Sequence, residues 1–123
     1  MRIQENLEKS KYEADGSIQI QGTTIPYHTI CEDHFFVDEE NNPVASIFSY
    51  AYFRSDVQDN SKRPILFIYN GGPGCASLWL HMGLFGPRIV KLDDELNLPT
   101  VPPFELEDNP HCLLDLCDLV FID

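Results

Sequence analysis

The sequence predicts an α/β fold in which antiparallel leading strands are followed by parallel strands of one mixed sheet. Residues 17–30 and 44–53 are rich in β-branched and aromatic side chains, which favours strands. Residues 65–69 and 119–122 are apolar throughout, a pattern typical of strands buried on both faces of a parallel sheet. A helical stretch and a long connection separate these two runs, as a parallel crossover requires.

The first half of the chain is expected to contribute the antiparallel strands. Residues 1–16 are predicted to form a polar lead-in, with a frayed helix around residues 3–12. Pro26 should keep its strand at a sheet edge, because proline cannot donate a hydrogen bond to a ladder. The turn-forming sequence around residues 41–42 predicts a hairpin whose second strand covers residues 44–53.

The second half is expected to form the parallel part of the sheet. The first apolar run leads through a glycine-rich turn into a helix over residues 77–84, which Phe85-Gly86-Pro87 should end. A proline-rich connection over residues 93–110 precedes the last strand, residues 116–122. Two buried parallel strands need further strands beside them and helices on both faces. We therefore expect residues 17–123 to be the N-terminal portion of a single α/β domain, incomplete at its C-terminal end.

The charge balance excludes two classes of partner. The chain has 20 acidic and 8 basic residues, whereas nucleic acids and anionic membranes are bound by clustered Lys and Arg. No stretch approaches the ~20 apolar residues of a membrane helix, and residues 1–16 lack the apolar segment of a secretory signal. We expect a cytoplasmic protein that binds neither nucleic acid nor membrane. The acidic residues after Lys91 form either a solvated face or part of an acidic cleft or interface.

The cysteines are predicted to be free thiols. Cys31, Cys75, Cys112 and Cys117 are widely spaced, and without a secretory signal a reducing compartment is expected. No second pair matches Cys112 and Cys117, and no histidine pair stands at ligand spacing. We therefore expect no metal site and no cofactor.

The sequence Asn70-Gly71-Gly72-Pro73-Gly74-Cys75 directly follows the first apolar run. The third glycine of a dinucleotide fingerprint and the lysine of a phosphate loop are absent. Two interpretations remain: a tight turn that leads the chain out of the sheet, or a set of backbone N–H donors for an oxyanion. Gly71, Gly72 and Gly74 can each offer an N–H, and Pro73 stiffens the loop. The Asn70 amide could donate to a second anionic group such as a substrate carboxylate.

Residues 70–78 resemble the Asn-Gly-Gly-Pro-Gly-(Cys/Ser)-Ser-Ser signature of the serine carboxypeptidases. The resemblance covers roughly residues 44–123, and residues 79–83 are most similar to bacterial members. The later landmarks that match are Gly86-Pro87, Asn109-Pro110 and residues 119–123.

The resemblance implies an α/β-hydrolase fold with a Ser-Asp-His triad that removes C-terminal residues from peptides. By position, Gly72 would supply an oxyanion-hole N–H, and Asn70 with the Gly71 N–H would hold the C-terminal carboxylate of the peptide substrate. The family's nucleophile lies in a Gly-x-Ser-x-Gly elbow, which this sequence lacks, and the triad Asp and His come later still. The chain alone is therefore expected to be inactive.

Other candidate residues are expected to have structural roles. Leu84 stands where many family members have a glutamate, so any carboxylate pair formed there is lost or replaced. Cys75, which is disulfide-bonded in some secreted relatives, is expected to be a small buried thiol. The remaining expectations are a packed His81, Ser77 at a helix start, Arg88 at the surface or in contact with a substrate or an acidic cleft, and structural roles for Asp118 and Asp123. Asp123 also lies at the carboxyl end of the last strand, on the edge where α/β sites form.

Two further functions stay open at this stage. The chain could be a non-catalytic truncated product that acts by self-association or partner binding through its open strand edges. It could also be the corresponding part of an acyltransferase that shares the fold and the loop.

Overall fold

The computed structural model describes residues 2–3, 10–97 and 100–123. Strands dominate these ranges, and the helical segments are short. The strands are β1 (Arg2–Ile3), β2 (Lys11–Ile20), β3 (Thr23–Val37), β4 (Pro43–Arg54), β5 (Ile65–Ile68), β6 (Arg88–Val90), β7 (Leu106–Asp108) and β8 (Asp118–Ile122). The helical segments are a 3-10 turn (Asn60–Lys62), one α-helical turn, α1 (Leu78–Leu80), and a π-helical turn (His81–Phe85). None of the helical segments in the described ranges is long and apolar enough to cross a membrane.

One mixed sheet contains six of the described strands. Their order is β1-β3-β4-β8-β5, and β2 pairs with β3 as well. The β5–β8 pair is parallel, whereas the other neighbours are antiparallel. The predicted β3–β4 hairpin and the predicted parallel pair are therefore both confirmed. Strands β6 and β7 form a separate antiparallel pair.

Strand β2 begins inside the segment predicted to be a polar lead-in. It pairs residue by residue with β3 through the two-residue turn Gln21-Gly22, where both φ angles are positive. Such a turn matches the twist of its flanking strands, so the hairpin draws residues 11–16 into the sheet despite their polarity. The frayed helix expected around residues 3–12 is wrong for Ile3 and for residues 11–12, and residues 4–9 lie outside the described ranges.

Pro26 lies in an interior strand, which corrects the prediction that it marks an edge. Strand β3 pairs with β2 on one side and with β4 on the other. The Pro26 carbonyl accepts a hydrogen bond from the Ser55 N–H, one residue beyond the end of β4. The N–H and C=O of one residue face the same neighbour in an antiparallel ladder. The missing N–H of Pro26 therefore falls where β4 has already ended.

The connection after Lys91 contains paired structure that its prolines did not indicate. Strand β7 lies within the predicted connection and pairs with β6. Residues 93–97 form a turn of the same kind as residues 38–42 in the β3–β4 hairpin. In both turns an aspartate side chain accepts hydrogen bonds from the N–H groups two and four residues later, which is how aspartate stabilises turns.

The two faces of the main sheet differ in how they are covered. On one face, side chains of the sheet pack with Leu80, Phe85, Leu113 and Cys117 around a buried cluster. That core consists of Ile18, Ile20, Ile25, Tyr27, Ile68, Cys112, Leu114, Leu119 and Phe121. The other face forms an open groove of about 350 Å³ lined by Ile30, Glu32, His34, Phe36, Ile47, Ser49, Ala51, Phe53, Phe67, Val120 and Ile122.

The two apolar runs occupy different environments. Leu119 and Phe121 of β8 are completely buried, whereas Val120 and Ile122 are only partly buried and line the open groove. The prediction of burial on both faces therefore holds for one face of this strand.

Strand β5 is the outermost strand of the sheet, and Ile65, Leu66 and Phe67 are exposed. The prediction that this run is buried on both faces is wrong for the described chain, because β5 is an edge strand and its Phe67 faces the open groove. Ile68 alone of these four residues is buried.

Candidate functional site

The glycine-rich loop connects the carboxyl end of β5 to α1. Gly72 and Gly74 have φ angles of +78° and +82°, a region that side-chain-bearing residues rarely adopt. A Cβ atom at either position would meet no other atom, so backbone conformation rather than space requires glycine here. Pro73 between them has its own φ fixed by its ring. The loop therefore has a conformation that this sequence specifies closely.

The Asn70 side chain closes the loop from within. Its Nδ2 donates to the Ala76 carbonyl at 2.6 Å and lies 3.4 Å from the Cys75 sulfur. The Cys75 N–H donates to the Gly72 carbonyl at 3.3 Å. These contacts tie the strand end to the far side of the loop.

The remaining N–H groups of the loop are unused by the fold. Among the described residues, no hydrogen bond engages the N–H of Gly71, Gly72 or Gly74, and all three residues are exposed. Backbone N–H groups held in such a turn can bind an anion. The arrangement therefore offers donors to a negatively charged group from outside the chain.

Ser77 ends the loop and is fixed by Asp123, the residue that follows β8. The Ser77 N–H donates to Asp123 Oδ1 at 2.6 Å, and the Ser77 hydroxyl donates to the same oxygen at 2.5 Å. Ser77 is completely buried. It occupies the N-cap position of α1, as predicted, yet its side chain makes no capping bond to the helical turn. The Asp123 carboxylate instead accepts the N–H and the hydroxyl of Ser77 itself.

His81 is packed between aromatic rings, as predicted. It is only 7% exposed, its ring stacks on Phe121 at 4.4 Å, and its Nε2 shares a 2.7 Å hydrogen bond with the Tyr52 hydroxyl. Burial lowers the pKa of His81, and the nearby Asp123 carboxylate opposes that shift in part. Burial also raises the pKa of Tyr52. His81 and Tyr52 thus join the π-helical turn to β4.

Cys75 is exposed, which corrects the expectation of a buried thiol. It stands in the loop before the first helical turn, so no packed helix covers it. The four cysteines all lie in the described ranges and are free thiols. Burial raises the pKa of Cys112 to about 11, so that thiol is protonated at neutral pH.

Two of the remaining candidates form ion pairs. Asp118 is buried, pairs with Arg63 at 3.0 Å, and accepts a hydrogen bond from the Arg54 N–H at 3.1 Å. Arg88 lies half-exposed on β6 and pairs with Asp108 of β7 at 2.9 Å. Both arrangements agree with the structural and surface roles predicted for them. In the part of the chain that the structure describes, no group of His, Cys, Asp and Glu is placed to hold a metal ion.

Asn109 and Gly86 have roles that residue-by-residue reasoning missed. The buried Asn109 amide donates to the carbonyls of Leu84 and Gly86 at 2.7 and 2.9 Å, where the π-helical turn ends. A Cβ atom on Gly86 would lie 2.2 Å from the His81 carbonyl oxygen. Only glycine fits there, and only a side chain with two donors serves both carbonyls. In the sequence, these positions were marked only by the family resemblance, which includes Asn109-Pro110 and Gly86-Pro87.

The Ser77–Asp123 contact was also missed, although the topology contains its signal. Because β5 and β8 are parallel neighbours, the residues that follow them lie at the same sheet edge. The loop after β5 and Asp123 after β8 therefore meet at the carboxyl ends of the strands, where open α/β sheets bind ligands.

The chain is similar to curated carboxypeptidases over most of its length. It is 31% identical over 86 residues to the pheromone-processing carboxypeptidase KEX1 of Saccharomyces cerevisiae, which is 70% of this chain and 10% of that protein. It is also 31% identical over 74 residues, 60% of this chain, to the proteins of the same name from Komagataella phaffii and Komagataella pastoris. The chain thus spans about a tenth of the length of the curated relatives it matches.

No family model matches the chain, and no solved structure matches it. The similarity supports a relation to carboxypeptidases, which are hydrolases. The relatives described above are yeast proteins, so the bacterial character of the sequence stays a prediction, as do the roles of the loop residues.

Proposed function

We propose that this chain is the N-terminal portion of a serine-type carboxypeptidase with an α/β-hydrolase fold, and that residues 70–77 form its oxyanion and substrate-carboxylate loop. The observation that carries this proposal is the loop, whose Gly71, Gly72 and Gly74 N–H groups have no partner among the described residues. The loop lies at the carboxyl end of a parallel strand, where ligands bind in open α/β sheets. The similarity to KEX1 carboxypeptidases supports the same class.

Each loop residue has a distinct role in the proposal. The Gly72 N–H stabilises the oxyanion that forms when the scissile carbonyl is attacked. The Gly71 N–H and the Asn70 amide bind the C-terminal carboxylate of the peptide. Asn70 can do so without opening the loop, because its contact with the Cys75 sulfur is to a weak acceptor. Its 2.6 Å bond to Ala76 would remain in place.

The proposed reaction is peptide hydrolysis through an acyl-enzyme. A serine attacks the last peptide bond, a histidine takes its proton, and an aspartate orients the histidine. This sequence contains no Gly-x-Ser-x-Gly elbow, so the chain supplies binding donors and no nucleophile. The proposal includes a bacterial-type parent enzyme in the cytoplasm that needs no metal or cofactor.

Carboxylate binding tests the role of the loop directly. The probe is N-acetyl-leucine, titrated into the chain labelled with ¹⁵N-glycine, and N-acetyl-leucinamide is the control that lacks the carboxylate. We expect the acid, and not the amide, to shift the Gly71 and Gly72 N–H signals. Asn70→Asp should abolish these shifts, because it removes the donor and adds a like charge. Asn60→Asp, on the exposed 3-10 turn, adds the same charge elsewhere and should leave them unchanged.

Equal responses to the acid and the amide, or none to either, would contradict the proposed role. A second measurement concerns the missing nucleophile. A serine-reactive phosphonate probe should leave this chain unlabelled, and covalent labelling would show that the chain carries a nucleophile of its own. Assay of a longer chain that includes the elbow separates hydrolysis from transfer to an acceptor amine, which an acyltransferase relative would perform.

A second candidate function is self-association, in which one copy binds another through strand β5. The observation that favours it is the exposed apolar character of this outermost strand, since Phe67 is 59% exposed and Ile65 49%. Unpaired strand edges readily pair with another chain. Sedimentation velocity should then detect a dimer that Phe67→Lys dissociates, whereas Val101→Lys, at an exposed apolar position in the connection before β7, should leave it intact. A monomer at every concentration would contradict this function.

A further inference from the structure

Asp123 and Ser77 join two parts of the molecule that are far apart in sequence. Asp123 follows β8, whereas Ser77 ends the loop that follows β5. One carboxylate oxygen accepts both the N–H and the O–H of Ser77, at 2.6 and 2.5 Å. Hydrogen bonds to an ionised acceptor are about twice as strong as neutral ones. Two hydrogen bonds from one residue therefore attach the loop to the end of β8.

The contact fixes the far end of the loop relative to its near end. Asn70 leaves β5 two residues after Ile68, and Asp123 leaves β8 two residues after Phe121, and these two strand residues are register partners. Both ends of the loop are therefore attached to the same pair of hydrogen-bonded strands. The Asp123 N–H in turn donates to the Phe48 carbonyl of β4 at 2.9 Å, which holds Asp123 itself in place.

The interior of the loop has few other constraints. The space around Gly71, Gly72 and Gly74 is open, since a Cβ atom built on any of them would have no neighbour within 4 Å. The other contacts that close the loop are those of Asn70 and Cys75. Donors stabilise a developing charge only if they are already aimed at it. Residues that fix the ends of such a loop therefore determine how well it binds an anion.

We propose that Asp123 and Ser77 are positioning residues that hold the Gly71, Gly72 and Gly74 N–H groups in place for the anion. This rests on the proposed function of the loop. In this proposal Asp123 acts through Ser77, because its Oδ1 accepts both hydrogen bonds from that residue. It acts through the loop, and replacing it should weaken anion binding without removing any donor.

The test measures loop order and anion binding in the same samples. The chain labelled with ¹⁵N-glycine gives order parameters for its seven glycines, with Gly22 in the β2–β3 turn as an internal reference. Order parameters near 0.85 describe rigid backbone, and values below about 0.6 describe flexible backbone. The variants are Asp123→Ala, Asp123→Asn and Ser77→Ala. Asp94→Ala, at an exposed aspartate in a distant turn, is the matched control.

We expect Asp123→Ala and Ser77→Ala to lower the order parameters of Gly72 and Gly74 and to weaken N-acetyl-leucine binding about tenfold, the effect of losing a hydrogen bond to a charged group. Asp123→Asn should retain more of the glycine order and more of the N-acetyl-leucine affinity than Asp123→Ala, because its amide oxygen still accepts the Ser77 N–H. Gly22 should not change in any variant. Asp94→Ala should behave as wild type.

Unchanged order at Gly72 and Gly74 in the folded variants would overturn the proposal. Unfolding of all three variants, with the control folded, would overturn it in favour of a purely global structural role. The proposed function can fail separately. If the wild-type chain does not bind N-acetyl-leucine but the variants still loosen the loop, the positioning role stands and the carboxylate role does not.

Discussion

Strands β5 and β8 have nearly the same composition, lie side by side, and differ sharply in environment. Phe121 of β8 is completely buried, whereas Phe67 of β5 is 59% exposed. Strand β8 has β4 on one side and β5 on the other, and its inner face is covered by His81 and Tyr52. Strand β5 has a neighbour on one side only, and its Phe67 lies on the open face of the sheet. Ile68, the register partner of Phe121, lies on the covered face and is buried as well. An apolar run thus shows that a strand is compatible with burial on both faces. How much of its surface is buried depends on the elements that pack against it.

The largest expected difference between the two strands is in core stability. Phe121→Ala should lower the free energy of unfolding by about 3–5 kcal/mol, because it leaves a cavity between Tyr52 and His81. Phe67→Ala should lower it by less than about 1 kcal/mol, because the ring is largely exposed already. Urea denaturation followed by circular dichroism measures both values. Similar losses for the two variants would mean that β5 is buried in solution.

The next effect concerns the charged residue at the start of β8. Asp118→Ala should lower the free energy of unfolding by about 3 kcal/mol, because it leaves the largely buried Arg63 guanidinium without its carboxylate partner. Asp56→Ala removes the partner of Arg54 in an exposed ion pair and should have a much smaller effect. Urea denaturation in low salt tests the two variants together. A loss at Asp56 as large as that at Asp118 would contradict the assigned burial.

The smallest expected effect is a dependence on pH through His81, which stacks on β8. Burial lowers the pKa of this histidine below its usual 6.5, so the unfolded chain binds its proton more readily than the folded chain. The contribution of neutral His81 to the free energy of unfolding is therefore fully present above about pH 6.5 and decreases as the pH falls below that value. His81→Phe should flatten the pH dependence of the melting temperature between about pH 7 and 5. An unchanged profile would assign that dependence to other groups.

The sequence predicted those parts of the fold that depend on local pattern. The turn residues 38–42 specify a hairpin through hydrogen bonds to Asp38, and Gly86-Pro87 marks the end of the helical segment. The parallel pairing of β5 and β8 followed from two apolar runs and the connection between them. The tight turn after β5 was predictable because the glycines and the proline of residues 71–74 are compatible with few backbone conformations other than a turn.

Features that depend on distant residues were not predictable in this way. Polar residues 11–16 form a strand only because β3 is available as a partner. The position of Pro26 in β3 depends on where β4 ends. To predict the Ser77–Asp123 contact, one must know that β5 and β8 end at the same edge of the sheet. One must also know that the two side chains point towards each other. The sequence pattern predicts the shared edge, because it predicts parallel strands, but it does not predict the directions of the two side chains.

The topology also has a kinetic consequence for the loop. Strands β2, β3 and β4 follow one another in the sequence and pair as hairpins. The parallel pair, in contrast, brings residue 65 next to residue 118. Closing so long a segment carries an entropy cost that local hairpins avoid, and non-local contacts slow folding. We expect β3 and β4 to be ordered in the folding transition state, with higher kinetic φ-values for core substitutions in β3 than in β8. Equal values would contradict this order. The glycine-rich loop at the end of β5 would then reach its final arrangement only in the closing step of folding, when Asp123 meets Ser77.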